Sequence, residues 1–346
     1  MPEGASDNPV LVEVTRGGIV ESRHRGAFAV THASGRLLLA MGDVETPIFP
    51  RSAVKAMQAL PLVESGAADA FGLGNDELAV ACASHSGEAI HVAAVRSLLA
   101  KAGLDESLLA CGAHWPLSEE AARELFRGGS SPLPVHNNCS GKHAGILATS
   151  VHLGFEVRGY EQPEHALQIM IERVISEICG VALAQSPMGV DGCSIPTWAV
   201  PLRALAQGFA RFGAGKGFTT ERKVAAERLR RACHEAPALV AGAGRLDTII
   251  LRGVGPPVFV KGGAEGVHCA AFPELGLGLA LKVDDGTKRG AEHVLCALIG
   301  AIIPAASSPL AERLSGRIRN WKGLQVGEIR ASAKLIAAAA ETLHPS

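Results

Sequence analysis

The chain changes its hydrophobic period twice. Strand-like runs fill the first 48 residues: Val10-Leu-Val-Glu-Val-Thr15, Ile19-Val-Glu21, Ala27-Phe-Ala-Val-Thr31 and Arg36-Leu-Leu-Leu-Ala40, the last two joined by Ala33-Ser-Gly35. Short β-branched runs punctuated by a Gly-bearing turn predict an antiparallel meander. From Ser52 the period becomes helical through Val54, Met57, Leu60 and Leu62, and helical patterns follow at 76–83, 88–102, 119–126, 142–152, 164–178, 199–212 and 221–234. Asn75 and Ser118 are the expected N-caps of two of these helices.

Strand character returns at 247–251, 257–261, 267–271 and 277–283, before a helix over 287–303, a short helix near Leu310 and a last strand-like run around 324–329. Strands at both ends around a helical middle predict a single α+β domain over 1–346, an α/β sandwich. Its antiparallel sheet layer is expected from roughly 8–48 and 245–303, and its helical part from roughly 52–235. No internal repeat or independent linker interrupts this plan.

Composition narrows the partners. Hydrophobic residues make up 47% and charged ones 19%, a globular balance. With 33 basic and 34 acidic residues the net charge is -1, so no overall field recruits nucleic acid or an anionic membrane, and a small polar substrate fits better. The N-terminal stretch Met1–Asn8 lacks the basic flank and apolar core of a secretory signal, and the longest apolar candidate, 294–306, is broken by Gly300 and Pro304. A cytoplasmic location is expected. The eight cysteines lie far apart without a CxxC pair, which argues against a disulfide framework in a reducing compartment. Cys82, Cys179, Cys233 and Cys296 fall inside helical patterns and read as small buried apolar residues, whereas Cys139 and Cys193 lie in Gly-rich polar turns.

Three features suggest acyl-transfer chemistry. Ser52-x-x-Lys55 opens a helix, where positions i and i+3 share a face, so a deprotonated Lys55 amine is placed to act as the base that turns Ser52 into a nucleophile. Taken alone, this pattern is better explained by a Ser cap and an ordinary surface lysine. Ser84, in Ala83-Ser84-His85-Ser86-Gly87-Glu88, supplies a second hydroxyl in a polar turn, and Lys261-Gly262-Gly263 follows a strand. Penicillin-recognising enzymes combine S-x-x-K with a second serine loop and a K-T-G strand. The glycines at 262–263 let backbone approach a ligand, and N–H groups there are placed to hold an oxyanion.

A second cluster joins Asn137-Asn138-Cys139-Ser140-Gly141-Lys142-His143-Ala144-Gly145 to Met188-Gly-Val-Asp191-Gly-Cys193. Two thiolates suit Zn²⁺, and Lys142 or His143 lies one helical turn from Cys139; chemistry alone favours His143, because a lysine must first lose its proton. Two unrelated buried cysteines explain the same residues equally well. Asp191 is placed either to orient a lysine or to orient water. Nucleotide motifs fail: Gly213-Ala-Gly-Lys216-Gly lacks the P-loop order, and Gly72-Leu-Gly74 has Glu77 where the dinucleotide fingerprint needs glycine.

Six blocks, Arg51-Ser-x-x-Lys55, Ala83-Ser84-His-Ser-Gly-Glu88, Asn137–Gly145, Val190-Asp191-Gly-Cys193-x-x-Pro196, Lys261-Gly-Gly-Ala-Glu-Gly266 and Ala280-Leu-Lys282-Val-x-Asp285-Gly286, resemble the Rhizobium etli-type L-asparaginases, in the same order over nearly the whole chain. The resemblance implies a fold similar to serine β-lactamases and penicillin-binding proteins, and hydrolysis of L-asparagine to L-aspartate and ammonia. It implies two Ser-Lys tandems, Ser52 with Lys55 and Ser84 with Lys261, Lys282 being the rival of Lys261. Arg51, Asn138, His143, Asp191 and Gly263 then line the substrate site. Cys139, Lys142 and Cys193 become the ligands of a zinc ion that aids substrate binding, which replaces the preference for His143. A homodimer is also implied. Two readings from other classes stand beside it: an acyl-serine hydrolase of the β-lactamase or peptidase type, and a non-catalytic sensor of amino acids or zinc.

Overall fold

The computed structural model describes residues 8–343. The chain divides into two compact units, one formed by Met1–Ala53, Val200–Ala214 and Val260–Ser346, the other by Val54–Ala199 and Gly215–Phe259.

The first unit is built on a sheet of eight strands, β1 (Val10–Arg16), β2 (Ile19–His32), β3 (Leu37–Met41), β4 (Phe259–Gly262), β5 (Val267–Phe272), β6 (Leu277–Val283), β7 (Arg317–Arg319) and β8 (Gln325–Ala331). They run in the order β7-β8-β1-β2-β6-β5-β4, with β3 also paired to β2. The ladders of β1 with β2 and β8, and of β6 with β2 and β5, are antiparallel. The sequence suggests two strands at 19–21 and 27–31, but a single strand of 14 residues spans both. Its first half pairs with β1 and its second half with β6 and β3. The polar residues between the two runs continue the alternation, Glu21, Arg23 and Arg25 pointing out and His24 pointing in, so the strand has no reason to break.

Helix Leu202–Ala214 lies directly on β6 through buried Leu205, Ala206, Phe209 and Ala210. A Cβ at Gly278 of β6 would come within 2.0 Å of the Ala206 carbonyl oxygen, so only glycine permits this approach. Helix Lys288–Ile302 buries Val294, Leu295, Leu298 and Ile299, each worth about 1.5–3 kcal/mol when removed from water. The apolar stretch at 294–306 is thus mostly a packed helix; among the described residues no helix is long and apolar enough to cross a membrane. The edge strand β7 and the final helix Ala333–Leu343 carry short or alanine-rich patterns and were not expected.

The second unit is helical, with Asn75–Ala81, Ala89–Lys101, Ser140–Leu153, Ala166–Cys179 and Thr220–Glu235 as its principal helices. Helix Ser140–Leu153 is central, with every residue from Ser140 to Ser150 buried, as expected for a helix covered on all sides. A Cβ at Gly141 would fall 2.1 Å from the Val80 carbonyl oxygen. The N-cap of the Asn75–Ala81 helix is Gly74, not Asn75. Glu77 explains the shift, because its carboxylate accepts the Gly74 N–H at 2.8 Å and pairs with Lys101 at 2.7 Å. Ser118 caps its helix as expected. The strand anticipated at 247–251 is instead part of helix Leu246–Gly253, which buries Leu246, Ile250 and Leu251. A short apolar run does not by itself distinguish a buried strand from a buried helix. All eight cysteines are unbridged and buried.

Candidate active site

Lys55 begins the helix Lys55–Gln58, directly after the 3-10 turn Arg51–Val54. Its side chain is fully buried. Nζ donates to the carbonyl oxygens of Ala83 at 2.6 Å and Asn138 at 3.3 Å. Two carbonyls occupy two of the amine's positions, and Lys55 also shares a side-chain hydrogen bond with Cys139. The lysine of the S-x-x-K pattern therefore ties together the chain just before Ser84 and the chain just before Cys139.

Both tied segments are held rigid. Ser84 is nearly buried and its N–H donates to the Val240 carbonyl at 2.9 Å. Ser140 Oγ donates to the Val135 carbonyl at 2.8 Å and so accepts from His85 Nε2 at 2.9 Å, while His85 Nδ1 accepts the Gly87 N–H. Burial, with His91 and Lys55 adding to it, keeps the His85 proton affinity well below the usual histidine range. The His85 ring stacks on His91 with centroids 4.9 Å apart, and His91 Nε2 reaches the Ala238 carbonyl. Ser86 Oγ donates to the Ala241 carbonyl, and Glu88 accepts the Ala243 N–H. The 238–243 segment that braces this turn gave no signal in the sequence beyond its small residues.

The asparagines brace Cys139. Asn137 donates to the Cys111 and Gly112 carbonyls and accepts the Cys139 N–H at 2.8 Å. His114 gives Nδ1–H to the Trp115 carbonyl and accepts the Asn138 N–H on Nε2 at 3.0 Å. Asn138, expected at the substrate, thus anchors its main chain to both His114 and Lys55.

Cys139, Lys142 and Cys193 meet. Lys142 Nζ lies 3.0 Å from Cys193 Sγ, and all three residues are buried. Cys139 and Cys193 share a hydrogen: the bond from Cys193, reinforced against burial by Lys55 and Lys142, holds Cys139 well below the usual thiol range, and the same bond with burial pushes Cys193 up. Burial opposes the charge on Lys142, but Cys193 and Cys139 outweigh it and keep the amine above its ordinary range. The arrangement gathers two sulfurs and an amine in one buried cluster. Among the described residues no group of three His, Cys, Asp or Glu is placed to hold a metal, so a metal here requires the Lys142 amine as third donor. Two sulfurs and a nitrogen in mutual contact fit zinc once that amine gives up its proton.

His143 is not available for that role. Its Nδ1 lies 2.6 Å from the hydroxyl of Tyr160, which also accepts the Ala110 N–H at 2.9 Å. The phenol hydrogen has Nδ1 as its acceptor, so the ring carries its hydrogen on Nε2. Binding a metal through Nε2 would reverse the tautomer and orphan the buried phenol hydrogen, at about 1–3 kcal/mol. Nε2 makes no close hydrogen bond, the Cys193 backbone being the polar group that faces the ring. Asp191 accepts the Gly192 N–H at 2.7 Å, and its turn closes through Asp191 N–H to the Ile195 carbonyl at 2.9 Å.

In the first unit, Arg51 adopts φ +52°, the left-handed region that a side chain rarely occupies. Gly263 packs against the turn that follows it, where an added Cβ would stand 2.7 Å from the Pro50 carbonyl oxygen. The Gly263 N–H donates to the Val267 carbonyl at 2.8 Å. It closes the β4–β5 hairpin, which corrects the expectation that this N–H faces an oxyanion. Lys261 is fully buried on β4 and donates to the Gly262 carbonyl. Its rival Lys282 is less enclosed, and burial pushes its amine below the ordinary range. Sequence reasoning missed His24, whose Nδ1 meets Asp285 at 2.6 Å while Arg289 Nε donates to Nε2 at 3.2 Å. Asp285 stood inside one of the quoted blocks, but its partner on β2 had no local signal.

Residues 12–331 match the family model of L-asparaginase II. The chain belongs to the L-asparaginase II family, whose members are asparaginase-type amidohydrolases. No curated protein matches it. Among solved structures it is similar to Mglu in its native form, with 15% identity, TM-score 0.42 and coverage of 83% of this chain and 66% of that one. It is also similar to a β-lactamase from Mycobacterium bovis, with 14% identity, TM-score 0.42 and coverage of 83% of this chain and 94% of that one. The chain therefore spans slightly less than two thirds of Mglu.

Proposed function

We propose that the protein hydrolyses the side-chain amide of L-asparagine to L-aspartate and ammonia, with Ser52 as nucleophile. The observation that carries this reading is the buried Lys55 amine, held by the Ala83 and Asn138 carbonyls. A lysine fixed by two acceptors, three residues after a serine on one helical segment and next in line to Ser84, is the arrangement a Ser-Lys hydrolase needs. Membership of the L-asparaginase II family supplies the substrate class.

In this mechanism Lys55, once it has given up its own proton, takes the Ser52 proton, and Ser52 Oγ attacks the side-chain carbonyl carbon. The tetrahedral intermediate collapses, the C–N bond breaks, and Ser84 with Lys261 delivers a proton so that ammonia leaves. Water then adds to the acyl-serine ester, gives a proton back through the same lysines, and releases aspartate. Arg51, Asn138, His143 and Asp191 serve substrate binding and support. Cys139, Lys142 and Cys193 would hold a zinc ion, which would supply a Lewis-acidic anchor that aids substrate binding. The fold is inferred to be of the serine β-lactamase type, the enzyme cytoplasmic and its assembly a homodimer. Purified protein should release ammonia and aspartate from asparagine in equal amounts and far more slowly from glutamine; binding of asparagine without ammonia would instead favour the sensor.

A further inference from the structure

The Cys193 turn holds one residue in an unfavourable backbone conformation. It is closed by Asp191 N–H to the Ile195 carbonyl and Ser194 N–H to the Asp191 carbonyl, and it holds Ser194 at φ +73°. A non-glycine residue stays in that region only when its surroundings enforce it. His143 Nε2 is buried and makes no close hydrogen bond, and the Cys193 main chain is the backbone acceptor that faces this ring. The ring hydrogen is on Nε2 because Tyr160, the only tyrosine in the chain and itself 1% exposed, donates to Nδ1.

We propose that Tyr160 is a positioning residue: by fixing His143 as the Nε2–H tautomer, it keeps a single donor trained on the main chain of the Cys193 turn and so holds this wall of the site in place. Tyr160 stands away from any reacting atom and acts only through His143. The inference rests on the reading that Cys193 belongs to the substrate-side wall of the asparaginase site. Outer partners of this kind alter affinity about 10–100-fold when removed.

Two substitutions separate positioning from packing. Tyr160→Phe keeps the ring and removes the hydroxyl, whereas His143→Gln keeps a side-chain N–H donor that has no tautomer to set. In the full-length protein, Tyr160→Phe should raise KM for asparagine about tenfold with kcat within about twofold, and speed iodoacetamide alkylation of Cys193, located by peptide mass mapping, by a similar factor. In the His143→Gln background the same substitution should add nothing, the signature of residues acting as one unit. A Tyr160→Phe protein that melts earlier but keeps its KM and its Cys193 alkylation rate would reduce Tyr160 to packing and overturn the proposal. If asparagine is not turned over, the alkylation rates decide alone, so failure of the asparaginase reading and failure of this inference are told apart. Should the variants not fold, the nitrogen-15 shifts of His143 in the native protein give the tautomer directly, and a hydrogen on Nδ1 would contradict the proposal.

Discussion

Lys55 Nζ donates to the Ala83 carbonyl oxygen at 2.6 Å, joining the helix that follows Ser52 to the turn that carries Ser84. The bond links residues far apart in sequence and puts the amine where nothing but protein surrounds it. Replacing Lys55 by Met keeps the length of the side chain but removes the base. Turnover should fall about 10²–10⁴-fold, with the far-ultraviolet circular dichroism unchanged. A Lys55→Met enzyme working within a factor of two of the native one would place the base elsewhere.

Cys139 is a thiol in a polar turn, and it lies in contact with Cys193, beside the Lys142 amine. Cys139→Ser should lose bound zinc, measured by mass spectrometry of the purified protein, and raise KM about tenfold or more while kcat changes less. Collapse of kcat at saturating asparagine with zinc retained would place Cys139 in the chemistry.

Gly141 tests the packing beneath the site. An added methyl group would lie 2.1 Å from the Val80 carbonyl oxygen, and backbone cannot yield as a flexible side chain can. Gly141→Ala should destabilise the protein by about 1–3 kcal/mol in urea unfolding, even though alanine is intrinsically the better helix former. A gain in stability would mean that the two helices separate freely.

Acid stability should respond to Asp285. Burial disfavours its charge, but the Thr287 hydroxyl and N–H together with His24 outweigh this and lower the carboxyl from 3.8 to about 2. A depressed folded value contributes stability above the unfolded value, and that stability is lost as pH falls from about 4 towards 2. Because the carboxylate is 42% exposed, solvent screens the effect and its size will be modest. Urea midpoints of native protein and Asp285→Asn should differ most at pH 5–7 and converge below pH 3. A constant difference across that range would mean that the Asp285 charge is not what stabilises the turn.

The parts legible in the sequence were those with strong period or chemistry. Helices such as Ala89–Lys101 and Thr220–Glu235 announced themselves by spacing, and the strands of both chain ends by their β-branched runs. Segment 247–251 misled because Thr248, Ile249 and Ile250 carry β propensity although they complete a buried helix. At the site, chemistry joined Cys139 to Cys193 but favoured His143 as their partner; Lys142 came from the resemblance, and it is Lys142 whose amine lies against Cys193. Tyr160 carries no local signal in the sequence: its hydroxyl matters only because Ala110 and His143 converge on it. His24 was hidden for the same reason, its meaning depending on Asp285 and Arg289 more than 250 positions away.

The most direct test of the account is ammonia release by Ser52→Ala at saturating asparagine. With the fold intact by circular dichroism and zinc content unchanged, release should fall to the uncatalysed background, since the remaining serine, Ser84, has only the proton-relay role. Release near the native rate would contradict the assignment of Ser52 as the nucleophile.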